Sequence, residues 1–350
     1  MKKFGKFLSL AISAAMLAGS LAGCGGSASS AAPASSAAAA SEAAPAKAVT
    51  FTVTADVTGD RAPYVERFAE LVKEKTGGRY EANVIAAGSL GTGADAAQML
   101  QMGTLDVLMS DDMTMDGVLN GTLGFAWLPG LVANYEEADA YYNNGWIADK
   151  VAEVMAKSDL IRISSYCNGF RQVGNIKRPV TEMSDIAGLK IRTPSVESIV
   201  SFYEKCGALP AMISGSEVLN ALQTGTVDGN TNGYQTLYSA SMQEVQKYVT
   251  ECGVFCSAYD FLANMNEWNK WNADTQKLIA DCAREAALYG RQYMYDQEDI
   301  CKQAFIDAGC VITVPTDEEL QTFKDAAKPV IDEQLALLTP ECKKAFGFEG

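Results

Sequence analysis

Histidine is missing from all 350 residues, and this absence excludes more function classes than any residue present supplies. Without imidazole there is no Ser-His-Asp or Cys-His activation of a nucleophile, and no His-containing metal set. Carboxylate or lysine chemistry is left, so the balance moves from catalysis towards binding. Basic residues are also in short supply, 28 Lys and Arg against 43 Asp and Glu. Such a surface repels nucleic acid and anionic lipid. It repels anionic small molecules too, unless arginines gather at one place. Beyond the first two dozen residues no apolar run is long enough to cross a bilayer. The nine cysteines lack a pattern: Cys167, Cys206, Cys252, Cys256, Cys282, Cys301, Cys310 and Cys342 scatter, and eight cysteines allow about 105 pairings. Cys252 and Cys256 stand four apart, but no second pair at zinc-ribbon spacing accompanies them. Buried or paired structural thiols are expected, with no metal and no cofactor.

What is present begins with a leader. Lys2, Lys3 and Lys6 precede an apolar run over 7–21 that is too short and too diluted by Ser and Ala to span a bilayer, the pattern of a signal peptide. It ends in Leu21-Ala22-Gly23-Cys24, a lipobox in which small residues precede a cysteine that is lipidated and becomes the new N-terminus. Residues 1–23 therefore read as a lipoprotein signal peptide and Cys24 as a lipid anchor on the extracytoplasmic face of the cell membrane, periplasmic or extracellular. Residues 24–48, almost all Ser, Ala, Gly and Pro, form a flexible leash that cannot bury enough surface to order itself. Without the three leader lysines, 25 basic residues stand against 43 acidic ones, a net charge of −18.

The remaining three hundred or so residues are long enough for one large or two medium domains. β-branched alternation over 49–55 predicts a strand. Asp60 is placed to cap a helix whose Tyr64, Phe68, Leu71 and Val72 share a face and which Gly77-Gly78 ends. A strand over 80–86, a helix over 94–102 and a strand over 105–109 follow. The same order returns as a strand at Ile191, a helix over 196–205, a strand over 209–213, a helix over 216–223 and a strand near Val227. One short match joins the two series: Leu100-Gln101-Met102-Gly103-Thr104-Leu105-Asp106 against Leu222-Gln223-Thr224-Gly225-Thr226-Val227-Asp228. Each copy ends a helix, turns at Gly and enters a strand. Two α/β lobes enclosing a cleft are expected, since open α/β sheets bind ligands beyond the carboxyl ends of their strands. A long helix over 272–308 would brace both. A strand over 311–314 and a helix over 317–338 complete the chain.

Between Tyr166 and Tyr234 the sequence becomes specific. It reads Gly169-Phe170-Arg171-Gln172, Asn175-Ile176-Lys177-Arg178-Pro179-Val180, then Asp185-Ile186-Ala187-Gly188-Leu189-Lys190-Ile191-Arg192-Thr193-Pro194. Ser216-Glu217-Val218, the stretch 221–230 and Asn232 follow. With Gly88-Ser89-Leu90-Gly91 and Gln243-Glu244-Val245-Gln246-Lys247-Tyr248, these motifs resemble the substrate-binding component of tripartite ATP-independent periplasmic (TRAP) transporters, the DctP-like family. The resemblance covers essentially everything after the leash.

It implies a two-lobed, Venus-flytrap α/β fold like that of periplasmic binding proteins. Lobe 1 is expected over 49–167 with about 258–297, and lobe 2 over 168–257 with about 298–350. In the family the arginine matching Arg192 clamps a ligand carboxylate with two parallel donors, the geometry a guanidinium offers. Arg171 matches a second arginine that supports the same carboxylate, and Asn232 an asparagine that donates an amide to it. Two positions depart from the family pattern. Gly233 stands where Pro is common, and Gly215 where a bulky, often aromatic residue precedes Ser-Glu, so the pocket is expected to be larger.

Other candidates lie at strand ends: Thr54, Asp56, Thr92 in the glycine-rich turn, and Asp111. A carboxylate at Asp111 would accept ligand hydroxyls and repel a second ligand carboxylate, which favours a hydroxylated monoacid such as a sugar acid; a helix cap or solvated acid is the plain alternative. Tyr234, like Trp127 and Tyr238, could stack on a sugar, although aromatic residues in such a context are more often core. The glycines over 88–93 lack the spacing of nucleotide-binding loops and read as a turn.

The expected function is an extracytoplasmic solute receptor. It binds a small organic acid, acts as a monomer, and delivers the ligand to one small and one large TRAP membrane subunit. A receptor that presents ligand to a membrane sensor and a secreted carboxylate-dependent hydrolase are the rivals.

Overall fold

β-branched residues of alternating exposure build strand β1 (Val49–Ala55), which pairs in parallel with β2 (Tyr80–Val84) on one side and β3 (Val107–Asp111) on the other. A computed structural model describes residues 48–56, 61–130, 132 and 134–336. The leader, Cys24, the leash, Asp60, Cys342 and the end of the chain lie outside the described residues. Helix α1 (Ala62–Thr76) crosses from β1 to β2 and buries Tyr64, Val65, Phe68, Leu71 and Val72, the face its spacing predicts. Its end is set by Gly77 at a φ of 60°, a left-handed turn that glycine adopts without strain. Helix α2 (Gly93–Gln101) crosses from β2 to β3.

Four elements, α3 (Asp112–Val118), α4 (Tyr135–Asn143), α5 (Gly145–Ala156) and the 16-residue strand β4 (Leu160–Asn175), lead to a second unit of the same design. In it β5 (Lys190–Thr193) pairs in parallel with β6 (Leu209–Met212) and β7 (Gly229–Asn232), linked by α6 (Glu197–Lys205) and α7 (Val218–Gln223). The seven-residue match has a structural meaning. Gly103 and Gly225 take φ angles of 71° and 72°. The aspartate that follows then grips the central strand of its own unit: Asp106 accepts the Thr52 N–H at 2.6 Å, and Asp228 accepts the Lys190 N–H at 3.0 Å. Thr52 thus corresponds to Lys190, and Thr54 to Arg192.

After α8 (Tyr234–Ser239), the 17-residue strand β8 (Tyr248–Asn264) joins the units. It lies antiparallel to β3 through its second half and to β4 along most of its length, while β4 pairs with β7 through Gln172 to Asn175. One nine-stranded sheet results, ordered β2-β1-β3-β8-β4-β7-β5-β6 with β9 (Val311–Thr313) beside β8. The β4–β8 register shifts three times, between Arg162 and Ser164, between Cys167 and Phe170, and between Arg171 and Val173. Past α9 (Met265–Trp268), the 35-residue helix α10 (Ala273–Asp307) starts on an Asn272 cap and packs against α1, β4 and α8, so it touches both units. At 1.5 Å per residue it is about 50 Å long. The chain as described ends in α11 (Asp317–Ala336), which buries Phe323, Ala327 and Val330.

Cys167, Cys252, Cys256, Cys282 and Cys310 are buried free thiols, Cys206 is a half-buried one, and Cys301 is buried. No described helix is long and apolar enough to cross a membrane.

Candidate functional site

Two arginines meet where the units adjoin. Arg192, third in β5, is 7% exposed and donates from Nε to the Ile213 carbonyl at 2.7 Å. That bond fixes the plane of the guanidinium and leaves the Nη atoms for other partners. Arg171, on β4 just past the register shift, is 5% exposed; it donates from Nη2 to the Thr231 carbonyl, and its Nη1 lies 3.7 Å from the Met113 sulfur. Among the described residues neither arginine has a carboxylate within ion-pair distance. Burial lowers the Arg192 pKa to about 10, the nearby Arg171 charge adds to the fall, and Asp111 opposes it. Burial also lowers the Arg171 pKa. Two like charges, each removed from water and held close, are an unfavourable pair unless an anion joins them.

Asn232 follows directly on the Thr231 whose carbonyl Arg171 holds. Its side-chain oxygen accepts the Gly233 N–H at 3.0 Å. Gly233 has a φ of −71°, a value proline shares, so the backbone here is the one a proline would take. What the glycine adds is that N–H. Gly215, in a short 3-10 turn, has open space around it: a Cβ built there meets only the Arg192 Nη2, at 3.9 Å. The absent side chain uncovers the guanidinium.

Opposite stands a network the sequence reading did not find. Arg61, just before α1, is 5% exposed and bonds to Asp56 through Nη1 and to Asp111 through Nη2, the latter at 2.7 Å. Its guanidinium lies 4.2 Å from the Tyr259 ring centre, a cation–π contact. Asp56 also accepts the Ser110 hydroxyl at 2.6 Å. Burial raises the Asp56 carboxyl above its ordinary value and Asp111 adds to the rise, against the pull of Arg61. Burial would raise Asp111 as well, but Arg61 and the Thr114 N–H outweigh it and hold that carboxyl below the ordinary value. Asp111 is also the cap of α3, accepting Thr114 N–H at 2.6 Å. The glycine-rich turn closes over this wall. A Cβ on Gly93 would sit 2.9 Å from the Thr114 methyl and 3.3 Å from an Asp56 oxygen, so only glycine fits.

Three expected ligand contacts have partners within the protein. Thr54 is fully buried and its hydroxyl donates to the Ile85 carbonyl at 2.9 Å, tying β1 to the end of β2. Thr92 exchanges bonds with Asp95 in a capping box at the start of α2. Tyr234 lies on the α10 side of the sheet, its hydroxyl on Glu251 at 3.0 Å and its ring against Phe305. Asp56 is fully buried and bonded to Arg61 and Ser110. Trp127 is core, and Tyr238 is exposed on α8.

The profile of the bacterial extracellular solute-binding protein family 7, DctP, matches residues 57–336. The chain belongs to this family. A solute-binding protein of Verminephrobacter eiseniae is 30% identical over 235 residues, 67% of this chain and 69% of that one. A TRAP periplasmic solute binding protein from Ochrobactrum anthropi superimposes with a TM-score of 0.78 at 29% identity, covering 86% of this chain and 95% of that one. Another, from Roseobacter denitrificans with bound β-D-glucuronate, gives 0.77 at 22%, over 86% and 98%, a likeness of fold alone. The two-lobed α/β architecture is that of the DctP family, whose members bind solutes outside the cytoplasm for TRAP transport.

Proposed function

We propose that this DctP-family receptor holds a small organic acid by its carboxylate between Arg192 and Arg171, with Asn232 contributing its amide. The observation that carries the reading is the pair of buried guanidinium groups with no carboxylate in ion-pair distance among the described residues. A carboxylate entering there accepts charge-assisted, parallel bonds from Arg192 and relieves the repulsion between the two cations. Gly215 leaves room beside the clamp for a ligand larger than the smallest diacids, and the sugar acid bound by the Roseobacter protein is of that kind.

The two lobes divide at the middle of the three register shifts between β4 and β8, at 167/168 and 257/258, and close over the ligand by bending there. Lipid on Cys24 holds the receptor near its membrane partners, one small and one large TRAP subunit, and the leash keeps it within reach of them. It works as a monomer and returns its ligand unchanged. A thermal-shift screen of residues 48–350 against organic and sugar acids tests the reading, because a ligand that binds only the folded state raises its melting temperature. A stabilising acid that also stabilises Arg192→Ala to the same extent would rule out the clamp.

A further inference from the structure

Arg61 has the burial and the position of a ligand-binding arginine, yet two carboxylates of the protein are already on it. Asp56 closes the inner side, fully buried; Asp111 closes the outer side, its side chain 18% exposed. The Tyr259 ring covers the guanidinium face. The open end of this network is therefore Asp111. Its orientation is fixed twice, by Arg61 Nη2 at 2.7 Å and by the Thr114 N–H at 2.6 Å. Two residues further along, the Met113 sulfur lies 3.7 Å from Arg171 Nη1, so the wall that carries Asp111 abuts the arginine pair.

Resting on the carboxylate clamp proposed above, we propose that Asp111 makes the receptor selective for monocarboxylic acids with neutral hydroxyls at the far end, by occupying the arginine that a second ligand carboxylate would seek. A dicarboxylate needs a cation for each end. Its near end finds Arg192 and Arg171; its far end meets Asp111, which already neutralises Arg61. Hydroxyl hydrogens suit the remaining lone pairs of Asp111, whereas a carboxylate offers it nothing to accept. Discrimination of this kind is built from repulsion as well as attraction.

Two four-carbon probes separate the possibilities, D-erythronate as the hydroxylated monoacid and succinate as the diacid. Calorimetry on residues 48–350 compares the wild type with Asp111→Asn and Asp111→Ser, both of which keep an oxygen for the Thr114 N–H. Succinate affinity should rise at least about tenfold in both variants, while erythronate affinity holds or falls. No gain for succinate, in either folded variant, overturns the proposal. So does a failure of both to fold, which would make Asp111 a structural brace. Adding Arg192→Lys to Asp111→Asn separates this inference from the clamp. Loss of the gained succinate affinity supports both readings. Succinate still bound as tightly would instead remove the clamp and, with it, the reason for a far end at Asp111.

Discussion

Arg61 and Arg192 are buried to the same degree, and each stands near the carboxyl end of the central strand of its unit, yet their electrostatic situations are opposite. Arg61 is held by two carboxylates and a tyrosine ring. Arg192 has a carbonyl on Nε, another arginine for a neighbour and a depressed pKa. Burial alone therefore does not mark a binding arginine. The difference lies in whether the fold supplies the counter-charge or leaves it to come from outside. A self-neutralised arginine contributes to stability and to exclusion. An unneutralised one costs stability and is the one the proposed ligand would join.

The largest break in this contrast should come from Arg61→Ala. It strands two buried carboxylates, and removing one partner from such a network costs about 3–5 kcal/mol; urea unfolding of the unliganded protein measures it. Arg192→Ala should act the other way on stability, raising the unliganded melting temperature, while weakening the bound acid by at least about a hundredfold through two lost charge-assisted bonds. Equal destabilisation by the two changes would erase the distinction.

A pH titration of affinity sharpens it further. The clamp binds through the charged form of Arg192, whose pKa near 10 a bound carboxylate must raise. Affinity is then complete below that value, level through neutral pH, and falls as pH rises through about 10. The strain of keeping Arg192 charged in the unliganded fold is present over the same range, and is relieved as pH rises from about 10 towards the ordinary arginine value. The smallest effect is expected from Gly233→Pro. The φ of −71° already suits proline and the nearest atom to a Cβ is 3.5 Å away. Loss of one N–H bond to Asn232 should change stability by under about 1 kcal/mol, measurable by thermal unfolding.

Much of the fold was readable because it obeys local rules. The period of Tyr64, Phe68, Leu71 and Val72 gives α1, and the repeated Leu-Gln-x-Gly-Thr-x-Asp gives two helix-to-strand turns with the same φ. Strands β4 and β8 were not readable. Their buried positions include Arg171, Gln172, Asn175 and Asp260, which break the apolar signature of an interior strand. The family motifs pointed to Arg171 and Arg192, and the structure places both together. Thr54 looked like a ligand contact because strand ends often are; that its hydroxyl belongs to Ile85, 31 residues on, is a property of the sheet. Arg61 carried no signal, since its meaning depends on Asp111, 50 positions later.

Helix α10 adds a mechanical consequence. A rod about 50 Å long that touches α1 in one unit and α8 in the other cannot stretch. Any change in the angle between the units must flex it, twist about it or slide along it. If the units move on ligand binding as proposed, the stiffness of this helix sets part of the energy of that motion. Changes on that helix, remote from both arginines, would tune how readily the cargo is let go.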